Sequence, residues 1–109
     1  KYDPKTKHFA VDIAVPKNTP IKSVANGTVI FADWTPTNGY VIIIRHGDGI
    51  ISVYKHVDSV TKSQGDVVRT GEVVATAGST GKGSTGVHLH FELWKDGFAI
   101  DPTNFIDFE

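Results

Sequence analysis

Short apolar runs separated by turn-forming residues make up most of the chain. Residues 29–31, 41–44 and 50–54 are rich in β-branched side chains, and shorter valine pairs follow at 67–68 and 73–74. Glycine, proline and asparagine recur between these runs, a punctuation typical of short strands joined by tight turns. No segment keeps a long 3.6-residue period, so the pattern predicts an all-β chain with little helix.

Two Asp-Gly pairs predict where the chain reverses. Asp48-Gly49 lies between two apolar runs, and Asp96-Gly97 follows a strand-like segment. Asp-Gly suits the tight turns of β-hairpins because both residues tolerate positive φ. We therefore expect antiparallel sheets that form a compact sandwich or partly open barrel. With 109 residues, the chain is expected to be one domain over residues 1–109.

Composition excludes several classes of function. The formal net charge of −1 gives no electrostatic case for nucleic acid or an anionic membrane surface as a partner. No apolar run is long enough to cross a bilayer, and no signal peptide is visible at Lys1. We therefore expect any targeting segment to lie outside this chain. The absence of cysteine excludes disulfides and thiolate metal sites.

Four of the five histidines fall into three short clusters, and the first cluster pairs a histidine with an aspartate. His8 and Asp12 frame the segment HFAVD, and both side chains are ordinary zinc ligands. A straight strand would separate them by roughly 13 Å, so we expect the chain to bend near Ala10. The alternative is a surface histidine with a capping or solvated aspartate, and taken alone this spacing is weak evidence for a metal site.

The second cluster has a period of two. His88, His90 and Glu92 are predicted to lie on one face of a strand, with Leu89 and Phe91 on the core face. Two imidazoles about 6.6 Å apart along a strand can serve one site, one as a metal ligand and the other beside a bound water. The alternative is a polar outer face of the kind common in antiparallel sheets.

The third cluster ends an apolar run. By strand alternation, Ser52, Tyr54 and His56 are predicted to share a face. A lone histidine at a strand end is more often structural, but an imidazole can move protons near neutral pH, which a hydrolytic metal site needs. The fifth histidine, His46, stands beside the Asp48-Gly49 turn and is expected to be structural or solvent-facing.

Together these clusters carry a family resemblance. The chain resembles the M23 (lysostaphin/LytM-type) zinc metallopeptidases, which cut peptide bonds in bacterial peptidoglycan. The segment from His8 to Asp12 matches the family motif His-x-Gly-x-Asp except at Ala10. His88-Leu89-His90 matches His-x-His, and Tyr54-Lys55-His56 matches Tyr-x-His. The similarity extends over nearly the whole chain, from about His8 to about Phe105.

The resemblance implies a site and a mechanism. It assigns His8, Asp12 and His90 to one zinc ion, and three protein ligands leave a position for water, as in catalytic zinc sites. It assigns His56 and His88 to an unligated pair that handles protons and stabilises the tetrahedral intermediate. Which of the two is the general base stays open. The implied reaction is endopeptidase cleavage of cross-links or stem peptides by a metal-activated water.

The resemblance also implies a setting for the domain. It predicts a LytM-like fold with a substrate groove, and a monomeric catalytic domain at the C-terminal end of a longer protein. The expected location is the cell envelope, whether periplasmic, outer-surface or secreted. A regulatory domain or partner is compatible with this reading, and the peptide bond that is cut stays open.

Departures from the family pattern keep a second function open. Ala10 replaces the usual glycine, Val87 stands where proline often precedes His-x-His, and the loop 78–86 carries one residue more than usual. The alternative is a non-catalytic LytM-type module that binds the cell wall or activates a partner hydrolase. A third, weaker reading is a carrier-like barrel, which would need a lysine-bearing attachment hairpin that this sequence lacks.

Overall fold

The computed structural model describes residues 11–14, 19–77 and 88–100, with side chains over 19–77 and 89–100. Its strands are β1 (Val11–Ala14), β2 (Pro20–Lys22), β3 (Gly27–Thr35), β4 (Gly39–Arg45), β5 (Ile50–Val60), β6 (Val67–Val68), β7 (Val73–Ala77), β8 (His88–Lys95) and β9 (Phe98–Ile100). Within these ranges there is no helix, and so none that could span a membrane. The all-β prediction is confirmed, and every apolar run named above lies in a strand.

All the strands belong to one antiparallel sheet. The main order is β1-β8-β5-β4-β3-β6, and β9 adds to β8. The long strand β5 changes partners along its length: residues 50–55 pair with β8, and residues 57–60 pair with β7, which also carries β2. β5 is therefore the central strand of the fold, and it connects β8 with β4.

Both Asp-Gly pairs form the predicted turns. Asp96 and Gly97 join β8 to β9 with φ values of 51° and 86°, and Asp48 and Gly49 have φ values of 60° and 75°. Two consecutive positive φ angles match the twist of a tight hairpin, and Asp-Gly adopts them at low cost. The two turns also touch each other, because the Asp96 N–H donates to the Gly49 carbonyl at 3.0 Å.

One face of the sheet encloses the hydrophobic core. At its centre the rings of Tyr54 and Phe91 lie 5.2 Å apart at 59°. Burial of each such side chain contributes about 1.5–3 kcal/mol. The Tyr54 hydroxyl accepts a hydrogen bond from the Val24 N–H at 3.2 Å. The buried apolar cluster consists of Ile21, Val29, Ile42, Ile44, Tyr54, Val57, Val68, Val74, Ala75, Ala77, Leu89, Phe91 and Leu93.

His46 is a structural histidine, one of the two alternatives that its position allowed. The residue is 8% exposed, and its Nδ1 lies 2.8 Å from the Asn26 carbonyl oxygen. Because a carbonyl can only accept, Nδ1 donates this bond. Nε2 lies 2.7 Å from the hydroxyl of Ser52, which is fully buried. His46 therefore ties the turn before β3 to β5.

Candidate functional site

Strand pairing brings residues that are distant in the chain to the two sides of His90. In the register of β1 with β8, Asp12 is the partner of His90. In the register of β5 with β8, Lys55 is its partner on the other side. Directly opposite residues of an antiparallel pair have Cβ atoms roughly 4.5–5.5 Å apart. Two of the predicted metal ligands, Asp12 and His90, are thus cross-strand neighbours in the backbone.

A β-bulge in β5 sets the position of His56. Tyr54 pairs with Ile42 of β4 and Val57 pairs with Tyr40. Two residues of β5, Lys55 and His56, therefore lie opposite the single residue between Tyr40 and Ile42. His56 has a φ of 60°, a value that residues other than glycine seldom adopt. Extra residues of this kind reorient side chains and are frequent beside active sites. Here the bulge turns two consecutive side chains of β5 toward the same region of the sheet.

The bulge overturns one prediction. Alternation along β5 placed Ser52, Tyr54 and His56 on one face, but Ser52 and Tyr54 are buried on the core side, with 0% and 1% exposure. The His56 ring instead lies against the ring of His90, with centroids 5.8 Å apart and planes at 84°. The prediction was wrong at His56 because the inserted residue breaks the two-residue period.

The turn between β3 and β4 holds the bulge in place. The His56 N–H donates to the Asn38 carbonyl at 2.9 Å. The Asn38 N–H in turn donates to Thr35 Oγ1 at 3.1 Å, and that hydroxyl donates to the Gly39 carbonyl at 3.1 Å. The strained backbone at His56 is therefore supported by a hydrogen-bonded turn from the neighbouring hairpin.

Glu92 forms the polar centre beside His90. Its Oε2 accepts from His90 Nε2 at 3.0 Å and from Lys55 Nζ at 2.7 Å, and its Oε1 accepts from Trp94 Nε1 at 2.9 Å. Burial raises the pKa of Glu92, but the hydrogen bonds from His90, Lys55 and Trp94 outweigh it and lower that pKa to about 2. The carboxylate is therefore charged at neutral pH.

Sequence reasoning placed Glu92 correctly on the face of His90 but assigned it no role, and it missed Lys55. The signal for Glu92 was the two-residue period of His88, His90 and Glu92. The signal for Lys55 was its place next to Tyr54: once Tyr54 is assigned to the core, alternation turns Lys55 toward the opposite face.

The predicted site residues fall only partly within the described residues. His56 and His90 are described in full and lie together. Asp12 and His88 are described as backbone positions of β1 and β8, whereas their side chains, and the whole of His8, lie outside the described residues. Among the described side chains, no three histidine, aspartate or glutamate groups converge on a metal position. The complete ligand set therefore stays a prediction.

Curated proteins of known description are similar to this chain in sequence. The chain is 37% identical over 97 residues to the DD-carboxypeptidase/endopeptidase Mpg of Neisseria meningitidis, a match that covers 89% of this chain and 22% of that protein. It is 38% identical over 90 residues to the murein hydrolase activator EnvC of Escherichia coli, covering 83% of this chain and 21% of that protein. The chain thus spans about a fifth of the length of these curated relatives.

A solved structure and a family model agree with these relatives. The crystal structure of a zinc containing peptidase from Vibrio cholerae superposes with a TM-score of 0.82 and 34% identity, over 86% of this chain and 29% of that one. The model of peptidase family M23 matches residues 6–102. That span includes all three histidine clusters and every strand of the sheet. The chain belongs to peptidase family M23.

Proposed function

We propose that the chain is a zinc-dependent endopeptidase domain that hydrolyses peptide bonds in bacterial peptidoglycan. The observation that carries the proposal is the position of His90, which is in register with Asp12 and in ring contact with His56. A metal ligand, a second ligand position and a proton-handling group are thereby adjacent on one sheet. Family membership supports peptidase chemistry at this place.

The chemistry of the donors fits a zinc ion. His8, Asp12 and His90 would supply two imidazole nitrogens and one carboxylate oxygen, a ligand set suited to catalytic zinc. The hydrogen bond from His90 Nε2 to Glu92 is a second observation in favour, because histidine ligands of metals commonly donate their other ring N–H to a carboxylate. When bound, zinc would supply Lewis acidity that polarises a carbonyl and makes water more acidic.

His56 and His88, the two histidines of the predicted site that are not proposed ligands, have the roles of general base and hydrogen-bond donor. One of His56 and His88 accepts the proton of the attacking water, and the other donates a hydrogen bond to the oxyanion of the tetrahedral intermediate. The bulge at His56 supports its part, because it directs an imidazole of β5 toward β8 rather than into the core. Position 88 lies two residues before His90, so alternation places it on the same face of β8.

The relatives support the proposed substrate class and location. One is a DD-carboxypeptidase/endopeptidase and another an activator of murein hydrolases, so peptidoglycan peptides are the proposed substrate. A domain acting on them works in the cell envelope, periplasmic, outer-surface or secreted. It is proposed to act as a monomeric domain of a longer protein.

The test is mass spectrometry of purified peptidoglycan after incubation with the zinc-loaded domain. New peptide ends that vanish when the metal is chelated, and that do not form with Asp12→Ala, would support the proposal and identify the bond. Zinc bound in a one-to-one ratio without any cleavage would contradict it.

The similarity to EnvC favours a second candidate function, a module that binds the cell wall or activates a partner hydrolase without cutting. This candidate predicts that the domain raises the activity of a murein hydrolase equally well with and without chelator. A metal-free domain that stimulates such a hydrolase and never releases peptides itself would establish it.

A further inference from the structure

Glu92 is a buried carboxylate that neither binds the metal nor transfers a proton in the proposed mechanism. It is 9% exposed, and both of its oxygens are occupied. Oε1 accepts from Trp94 Nε1 at 2.9 Å, whereas Oε2 accepts from Lys55 Nζ at 2.7 Å and from His90 Nε2 at 3.0 Å. A simple ion pair with Lys55 would not require burial or a third donor.

We propose that Glu92 is a positioning residue that sets the tautomer of His90, and that Lys55 and Trp94 hold Glu92 for this purpose. This inference rests on the proposed function, in which His90 is a metal ligand. A carboxylate oxygen can only accept, so the proton of a neutral His90 ring lies on Nε2. The lone pair is then on Nδ1, and Nδ1 is the atom that His90 offers to a metal.

The register of β5 with β8 explains how Lys55 and His90 both reach Glu92. Glu92 is two residues after His90 on the same face of β8, and Lys55 is the register partner of His90 on β5. The lysine therefore reaches Glu92 diagonally across the two strands, a distance that long side chains span. Trp94 donates to Oε1 of Glu92, whereas Lys55 and His90 donate to Oε2. Hydrogen bonds at both oxygens thus fix the orientation of the carboxylate plane. The direction of the His90 N–H bond follows from that plane.

The lysine also offsets the charge of the site. A buried carboxylate without a neighbouring cation would be strongly unfavourable. The ammonium group of Lys55 keeps Glu92 ionised, and therefore able to accept hydrogen bonds. An ionised carboxylate makes a stronger hydrogen bond to the His90 N–H than a neutral amide does. A zinc ligand polarised in this way is a better donor, and loss of such outer partners typically weakens metal affinity roughly 10- to 100-fold.

The direct test is long-range ¹⁵N–¹H NMR of the histidine rings in the chelator-treated domain at about pH 8, where imidazole is neutral. The wild type is expected to show His90 as the Nε2–H tautomer. Glu92→Leu is expected to shift His90 toward a mixture of tautomers and to weaken zinc binding roughly 10- to 100-fold in a chelator competition. Glu92→Gln keeps an accepting oxygen and should largely restore the tautomer.

A matched control comes from a second lysine–glutamate ion pair among the described residues, between the end of β5 and the start of β7. Lys62 and Glu72 form an ion pair away from His90, so Glu72→Leu removes a paired carboxylate without touching the candidate site. It should leave the His90 tautomer and zinc affinity unchanged. If wild-type His90 carries its proton on Nδ1, or if Glu92→Leu behaves as Glu72→Leu does, the inference is overturned.

Failure of the proposed function has a different signature. If His90→Ala binds zinc as tightly as the wild type, His90 is not a ligand, whatever its tautomer in the metal-free spectrum. The tautomer is read without metal and without substrate. A normal zinc site at His90 with the wrong tautomer would therefore refute the role of Glu92 alone.

Discussion

The imidazole rings of His56 and His90 meet edge to face, with centroids 5.8 Å apart and planes at 84°. His90 comes from a regular part of β8, whereas His56 reaches this position through a bulge with a positive φ. Backbone strain of this kind costs of order 1–3 kcal/mol and persists where surrounding structure enforces it. Its occurrence at one of the two predicted proton-handling residues is a reason to test that residue first.

Replacement of His56 by alanine should separate proton transfer from metal binding. Loss of a positioned acid or base lowers a rate by roughly 10²–10⁴-fold, while zinc affinity should not change because His56 is outside the proposed ligand set. The measurements are the rate of peptide release from peptidoglycan and a chelator competition for zinc. A variant that cleaves at the wild-type rate would remove His56 from the mechanism.

Replacement of His90 by alanine should abolish both zinc binding and cleavage, because it removes one of three proposed ligands. His46→Ala is the matched control. It removes hydrogen bonds to Asn26 and Ser52 and should lower the free energy of unfolding by about 1–3 kcal/mol, with zinc affinity retained. The measurements are the zinc content and the denaturant-induced unfolding of both variants. An active His90→Ala protein would contradict the assignment of His90 as a zinc ligand.

Two glycines near the β4–β5 hairpin should differ in how far replacement by alanine lowers the free energy of unfolding. A Cβ on Gly27 would lie 2.5 Å from the Arg45 carbonyl oxygen and 2.7 Å from Ile44 Cγ2, whereas one on Gly47 would meet nothing within 4 Å. Overpacking of this kind typically costs about 1–3 kcal/mol. Gly27→Ala should therefore lower the free energy of unfolding, and Gly47→Ala should stay within about 1 kcal/mol of the wild type. Equal unfolding midpoints for the two variants would refute this reading.

Stability should decline at alkaline pH in a way that depends on Tyr54. Burial raises the pKa of the Tyr54 phenol above its ordinary value of 10.0, although hydrogen bonds involving Ser52, Val24 and Ser23 oppose this. The phenol of Tyr54 therefore ionises at a lower pH in the unfolded state than in the folded state. The stability that the neutral, buried phenol contributes is fully present below pH 10 and is lost as pH rises through the folded-state pKa. Tyr54→Phe should show a shallower decline in unfolding free energy above pH 10; identical slopes would show that Tyr54 is not responsible.

Much of the local structure of this protein could be predicted from its sequence. The β-branched runs lie in strands, both Asp-Gly pairs form turns, and the two-residue period after His88 correctly places Glu92 beside His90. Each of these features depends on neighbours in the chain, through propensity, turn chemistry or the pleat. The bulge at His56 did not follow from the alternation along β5, since one inserted residue reverses the face of everything after it.

The sequence by itself determined the strands, their turns, the residue types of the candidate site and the resemblance to a peptidase family. Only the tertiary structure decided that Asp12 and His90 are cross-strand partners, that His56 meets His90, and that Lys55 and Trp94 converge on Glu92. The physical reason is that strand register and bulge position minimise the free energy of the whole sheet. Between strands distant in the chain, no turn fixes the partner, so contacts across the folded sheet decide which residues lie opposite one another.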